Sequence, residues 1–522
     1  MIDQERASFG TWLGFIAMCA GMFMAILDIQ VVVTSLPTIQ AALGVDKSLI
    51  SWVQTAYLVA EVIAIPLTGF LTGVFGMRRL FVGALGVFTL ASAACAMSTS
   101  FGMLIAARVV QGFAGGMLIP LVFSAVFLLF PPRQQAIATT IGGVLAVLAP
   151  TVGPIVGGWI TETYSWPWLF LINLLPGGLS LLVIATCLPV DRPVLGRLKS
   201  LDWVSLALLA LALAALEIGL KEAPDRGWLS GLVMGLLAIA ALSSVAFVRR
   251  VWGADIPLVD LKSLKDRQFA IGCFLSFVFG IGLFGSVYLM PVFLGFVRDH
   301  GAFTIGQIML VTGAAQLVAA PIAVQLERRM DARILTACGF LLFALGIGLS
   351  ALQTRETDFE EMFWPQILRG TAIMFCLLPP TRLALGHLAK DKVAHGSGLF
   401  NLMRNLGGAI GLALIDTVIY GRAPIHGEAL ADRLKQGDID AGRIVGLPDG
   451  LLKGEPIGDI SASMEAFVRP LIEKAALVQA INDAWALLAV ITLLSLAALF
   501  FLPKDIALSV DEASDGGLKR AA

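Results

Sequence analysis

The chain has 522 residues, of which 58% are hydrophobic and 14% charged, a formal net charge of -1 and a mean hydropathy of +0.87. That much apolar surface cannot be hidden in one water-soluble core, so lipid must cover most of it. The near-neutral charge and the lack of a long basic run exclude a nucleic-acid partner.

The apolar residues come in blocks of roughly 18 to 25, the length a helix needs to cross about 30 Å of hydrocarbon. Barrel strands would give shorter, alternating runs. The reading is an all-α integral membrane protein of about fourteen spans: 12–36, 48–72, 80–98, 102–130, 135–160, 167–189, 202–221, 229–248, 269–296, 304–326, 333–352, 363–387, 396–420 and 476–502. The first is too long for a signal-peptide core and carries an acid, so it counts as a span. Residues 1–11 precede it and 503–522 form a tail.

Asp28 lies deep in the first span, followed by Gln30, Thr34, Ser35 and Pro37. A desolvated carboxylate there is suited to take up and release a proton, or it caps a helix broken near Pro37. Glu61 sits midway along the second span, on a stripe with Gln54, Tyr57 and Thr68 that would line water or substrate more readily than lipid. It reads as a proton carrier, an anionic contact for a cationic substrate, or a structural hydrogen-bonding group. Gly69, Gly76, Arg78 and Arg79 mark the turn after that span. Pro66, Leu71 and Arg78 there have the same spacing as Pro321, Leu326 and Arg333 after the tenth, a sign of repeated halves.

In the fourth span Arg108, Gln111, Gly112 and Gly115 share one face. An arginine stays charged at any working pH, so it can tune a neighbouring acid but cannot carry the proton. The fifth span contains Pro150, Gly153, Pro154, Gly157 and Gly158, the makings of a kinked, closely packed hinge helix. Asn401, Arg404 and Asn405 lie on the thirteenth span with Asp416. Asp416 either answers Arg404 or sits at the outer water boundary. The insertion from about Gly421 to Lys474 reads as a long outer-face loop, whose stretch from Ser461 to Val468 either packs as a helix on the rim or is a plain connector.

With the N-terminus in the cytoplasm, Arg78, Arg79, Arg133, Arg192, Arg197, Lys199, Arg249, Arg250, Lys262, Lys265, Arg267, Arg328, Arg329, Arg333, Lys390, Lys392, Lys504, Lys519 and Arg520 all fall inside. The short loops of the other face hold only Lys47, Lys221, Arg226, Arg298 and Arg355. That asymmetry places both termini in the cytoplasm. The six cysteines are scattered through apolar blocks and the four histidines lie in or near loops, which gives no metal or disulfide framework. No Walker loop, nucleophile elbow, HExxH or dinucleotide fingerprint is present, so neither ATP coupling nor hydrolysis has support.

Several of these segments resemble the major facilitator superfamily, specifically its fourteen-span drug:proton antiporters of the EmrB/QacA type. They are Leu27-Asp28-Ile29-Gln30 with Leu36-Pro37-Thr38, Leu104 to Gly112, Gly153-Pro154-Ile155-Val156-Gly157-Gly158, Trp168 to Asn173 and Pro257 to Leu261. One departure stands out: Gly73 and Val74 occupy positions where the superfamily usually has Asp and Arg.

The resemblance implies a major-facilitator fold, with six-helix bundles at 12–189 and 269–502, the latter including the 421–475 loop, and two inserted helices within 202–248. It also implies proton-coupled efflux of hydrophobic or amphipathic small molecules by alternating access, with no cofactor beyond the proton gradient. Asp28, Glu61 and Arg108 would couple protons. Gln30, Gln54, Tyr57, Gln111, Asn401, Arg404, Asn405 and Asp416 would line the substrate cavity. Gly69, Gly76, Arg78, Arg79 and the fifth-span Pro/Gly set would gate. Gram-negative relatives of this type work in the inner membrane with a periplasmic adaptor and an outer-membrane channel. A dedicated exporter of a metabolite, fatty acid or siderophore is the alternative. A membrane enzyme would need a polar cluster at one interface, and a sensor a sizeable cytoplasmic domain; neither is visible in the sequence.

Overall fold

The computed structural model describes residues 6–45, 47–189, 193–254, 257–327, 329–447 and 462–502. The tail 503–522, with Lys504, Lys519 and Arg520, lies outside the described residues, as do Arg192, Arg328 and the loop stretch 448–461. Fourteen long helices account for most of the chain. They are α1 Phe9–Leu43, α2 Trp52–Phe75, α3 Met77–Ala96, α4 Phe101–Leu129, α5 Pro132–Thr163, α6 Leu174–Cys187, α7 Trp203–Arg226, α8 Gly231–Trp252, α9 Arg267–Phe296, α10 Ala302–Glu327, α11 Ala332–Leu349, α12 Phe359–Leu385, α13 Lys390–Lys435 and α14 Ala462–Ser495. A short turn of helix, Trp168–Leu171, leads into α6.

Among the described residues, thirteen of these segments are long and apolar enough to cross a membrane. The fourteenth, α12, carries Glu360, Glu361, Arg369 and Arg382 and three prolines, yet packs among the others. Large apolar side chains such as Leu90, Leu175, Leu242 and Leu494 point outward, as expected for a lipid-facing surface. Trp159, Tyr164 and Trp168 form an aromatic cluster at the α5–α6 turn, with the Tyr164 ring centroid 5.6 Å from that of each tryptophan. Amphipathic rings of this kind settle at a membrane–water boundary.

Helix ends follow local chemistry. Ser8 and Ser100 accept backbone N–H bonds at the starts of α1 and α4, Asp266 does so for α9, and Asp358 forms a capping box with Glu361 at α12. Between α2 and α3 the chain turns at Gly76 with φ of 78°, a left-handed backbone that favours glycine.

The packing repeats itself between the halves. In the first, α1 packs on α5 and α6, α2 and α3 on α4, and α3 on α6; in the second, α9 packs on α13 and α14, α10 and α11 on α12, and α11 on α14. The closest crossings also correspond. A Cβ on Gly112 of α4 would overlap the Tyr57 carbonyl of α2, and one on Gly370 of α12 would overlap the Thr312 carbonyl of α10. The halves meet along two seams, α5 against α10 and α2 against α13, while α7 and α8 pair with each other and α7 leans on α2 and α13. This is the repeat architecture of many transporters, and the spacing echo of Pro66 and Pro321 falls on the corresponding helices α2 and α10.

The expected loop 421–475 needs correction. Helix α13 runs on to Lys435, a further helix spans Ile439–Val445, and α14 already begins at Ala462. Leu430, Leu434, Ala441 and Val445 pack against Val468, Ala475 and Ala476. Lys474 pairs with Asp299 of the α9–α10 turn at 2.7 Å, and Arg355 of the α11–α12 turn donates to the Val445 carbonyl. The described part of the insertion is therefore a helical cap on the rim of the second half, because it has enough apolar residues at helical spacing to make its own small core.

Candidate functional site

The polar centre of the first half is built by five elements: α1, α2, α3, α4 and the start of α6. Asp28 of α1 is 1% exposed and Arg108 of α4 is fully buried. The guanidinium donates to one carboxylate oxygen of Asp28, while Gln111 Nε2 donates to the other at 3.0 Å and Asn173 Nδ2 at 2.8 Å. Arg108 also donates to Gln111 Oε1 at 2.7 Å and to the Val53 carbonyl at 3.1 Å. Its guanidinium carbon lies 4.3 Å from the centroid of the Tyr57 ring, close enough for a cation–π contact. Ser92 of α3 accepts from Gln111 at 2.8 Å and from Asn173 at 3.3 Å.

Helix geometry explains this convergence. Arg108 and Gln111 are three residues apart and share a face. Small residues on the same helix, Gly112 and Gly115, let α2 approach until the Tyr57 hydroxyl reaches the Ala25 carbonyl at 3.1 Å. An ionised pair in a dry interior survives only if its remaining donors and acceptors are satisfied, and here Gln111, Asn173 and Ser92 do most of that. The Nη2 atom of Arg108 alone has no partner. Such a pair can change its charge state only if the network opens or a proton enters it.

A family model described as Major Facilitator Superfamily matches residues 18–412. The chain belongs to that superfamily. It is 38% identical over 416 residues to the colistin resistance protein EmrB of Acinetobacter baumannii, covering 80% of this chain and 81% of that one. It is 32% identical over 439 residues to the multidrug export protein EmrB of Escherichia coli, covering 84% and 85%. The crystal structure of the human organic anion transporter MFSD10 superposes with a TM-score of 0.59 at 16% identity, covering 94% of this chain and 99% of that one, a likeness of fold alone. As a superfamily member the protein is a multi-pass membrane transporter and not an enzyme.

The other site residues expected from sequence are dispersed in this superfamily member. Gln30 packs against Gly153 of α5. Gln54 is half-buried. Glu61, 3% exposed, makes no hydrogen bond or ion pair among the described residues. Asn401 donates to the Ser397 carbonyl at 2.9 Å and Asn405 to the Asn401 carbonyl at 3.3 Å. Arg404 is buried between Phe123 of the first half and Phe279 and Phe400 of the second. Asp416 does not answer it: that carboxylate accepts from Tyr288 at 2.7 Å instead.

A cleft of about 640 Å³ opens between α5 and α10, lined by apolar groups such as Ile141, Val144, Pro321 and Val324. None of the expected cavity residues lines it. They mark helix faces in one packed conformation and do not surround this cleft. Pro150, Gly153, Pro154, Gly157 and Gly158 are all buried within an unbroken α5. Arg78 donates to the carbonyls of Leu188, at 2.9 Å, and Ala185, so it caps α6 within its own half, while Arg79 is exposed.

Sequence reasoning missed four residues. Asn173 and Ser92 complete the Asp28 site from distant segments, and a lone polar residue at a span end gives little signal of that. Arg369 of α12 is 3% exposed, lies 5.4 Å from the Trp485 ring and forms no ion pair among the described residues. Glu217 of α7 is half-buried midway along that span. An ionisable residue inside an apolar span was the available signal for both charges.

Proposed function

We propose that the protein exports hydrophobic or amphipathic small molecules in exchange for protons, by alternating access of its two halves. The observation that carries this reading is the desolvated Asp28 held by Arg108, Gln111 and Asn173 at the centre of the first bundle. It is the kind of intramembrane acid that marks a proton relay, and the named relatives are multidrug export and colistin resistance proteins. A proton moving inward releases about 2.3 kcal/mol per 100 mV, which serves as the energy source without any cofactor.

The protein sits in a bacterial inner membrane with both termini cytoplasmic. Supporting this, Arg78, Arg133, Arg197, Arg249, Lys262, Arg333 and Lys390 all lie at helix ends on one face, in line with the charge bias of cytoplasmic loops. The apolar cleft between α5 and α10 admits substrate, and the Pro/Gly positions of α5 supply the hinge. On the opposite face the helical cap offers a surface to a periplasmic adaptor, through which substrate passes to an outer-membrane channel.

The test is dye efflux from energised cells expressing the full chain. Efflux of an amphipathic dye should stop on addition of a protonophore. Efflux that continues after the proton gradient collapses would overturn the assignment of the energy source.

A further inference from the structure

The second half repeats the arginine site of the first with one exchange. In α4 the order is Arg108, Gln111, Gly112, and in α12 it is Gln366, Arg369, Gly370. The two glycines correspond, since a Cβ on Gly112 would overlap the Tyr57 carbonyl of α2 and one on Gly370 the Thr312 carbonyl of α10. Arginine and glutamine have therefore changed places along one helix face. The partner has changed as well. Arg108 is met by Asp28 of α1, whereas the side chain that α9 brings to Arg369 is Met290, with Sδ 3.3 Å from Nη2.

Arg369 is 3% exposed and forms no ion pair among the described residues. Its polar neighbours are mostly donors. Thr312 Oγ1 lies 3.4 Å from Nη2 but gives its own hydrogen to Gln366 Oε1 at 3.0 Å. That leaves Gln366 Nε2, one turn before Arg369 on α12, buried without a hydrogen-bond partner. The fully buried ring of Trp485 on α14 lies 5.4 Å from the guanidinium, and its indole N–H is likewise unpartnered. A permanent cation in a dry interior is strongly unfavourable until an anion answers it, and unmade N–H bonds add to that cost.

The site is linked to the apolar cleft along α10. Thr312, Gln316, Ala320 and Val324 recur every four residues and share one face. Ala320 and Val324 line the cleft together with Val144 of α5, and Gln316 Nε2 lies 3.5 Å from the Val144 carbonyl. Helical rise puts Thr312 about 12 Å along the axis from Ala320, a span that one amphiphile covers. We propose that Arg369, with Gln366 and Trp485, receives the carboxylate head of an amphipathic substrate whose apolar body lies in the α5–α10 cleft. This names a substrate class for the export reading and rests on it. Parting of α5 and α10 in the alternating cycle opens the path.

The experiment is equilibrium binding of pyrenebutyrate and of its uncharged primary amide to the full-length protein in nanodiscs, with empty nanodiscs as the blank. The unaltered protein should prefer the carboxylate. Arg369→Gln should weaken the carboxylate at least about tenfold, the scale of one charge-assisted hydrogen bond, and leave the amide unchanged. Its melting temperature should hold or rise, because an unpaired buried cation has been removed. Gln366→Glu reaches the same point by another route. It sets an acid one turn from Arg369, so the protein should melt higher and bind the carboxylate at least about tenfold more weakly. A folded Arg369→Gln protein that binds pyrenebutyrate as tightly as the unaltered one overturns the proposal. So does a chloride-dependent rise in melting temperature, lost in Arg369→Gln, with no preference for carboxylate over amide, because the arginine then holds a solvent anion. In either case, protonophore-sensitive efflux of an uncharged dye shows that the exporter reading stands while the carboxylate site does not.

Discussion

Asp28→Asn is expected to reduce gradient-driven efflux at least about a hundredfold, the scale set by losing an essential charge-carrying group. Asparagine keeps the shape but cannot release a proton, and its amide would face the donors that now converge on the carboxylate from Arg108, Gln111 and Asn173. Arg108 would be left fully buried without its counter-charge. Breaking a buried ion pair from one side costs about 3–5 kcal/mol, so the variant should also unfold at a lower temperature in detergent.

The structural and transport losses can be separated. The double variant Asp28→Asn with Arg108→Gln removes both charges and should recover stability relative to Asp28→Asn alone, by more than about 1 kcal/mol for residues this strongly coupled. Transport should not recover, because no proton-carrying group has been restored. If the double variant pumps dye at the unaltered rate, Asp28 is a structural partner of Arg108 and the proton travels elsewhere.

The Asp28 site was largely legible in the sequence because an intramembrane charge is expensive and therefore conspicuous. Asp28 and Arg108 stood out alone, and helix spacing added Gln111. Spacing along one helix cannot say what lies opposite, and this is why Asn173 and Ser92 were missed. The same limit explains the cavity residues. Gln54, Tyr57 and Glu61 do share a stripe on α2, but Tyr57 is packed under Arg108 and Glu61 is buried without lining the cleft. Hydropathy placed the spans well, yet it reports where an apolar stretch ends and not where a helix ends. Helix α13 therefore extends fifteen residues past the expected end at 420, to Lys435.

Gly69→Leu is expected to lower transport at least about tenfold while leaving the protein folded, an effect of the size seen when a close approach needed for a conformational step is blocked. The α2–α13 seam closes tightly at this point: a Cβ on Gly69 would overlap the Cα of His395 as well as its imidazole Nδ1 and Cγ, and the backbone atom cannot simply move aside. The usual acid and arginine of the superfamily are absent, with Gly73 and Val74 in their place. Part of that space is taken by the segment linking α6 to α7. Val194 donates its N–H to the Val74 carbonyl at 2.8 Å, and an Arg197 guanidinium nitrogen lies 3.0 Å from where a Gly73 Cβ would stand. Closure on this face thus relies on glycine contact and a basic linker, and the two can be told apart. A membrane-impermeant thiol reagent should label a cysteine at position 395 faster when Gly69 is leucine, because the seam is held apart. Gly73→Asp should be tolerated, since its carboxylate would meet Arg197, whose flexible end can shift to make an ion pair. If Gly69→Leu transports normally and Gly73→Asp does not, the seam is not a closing contact and Arg197 has another task.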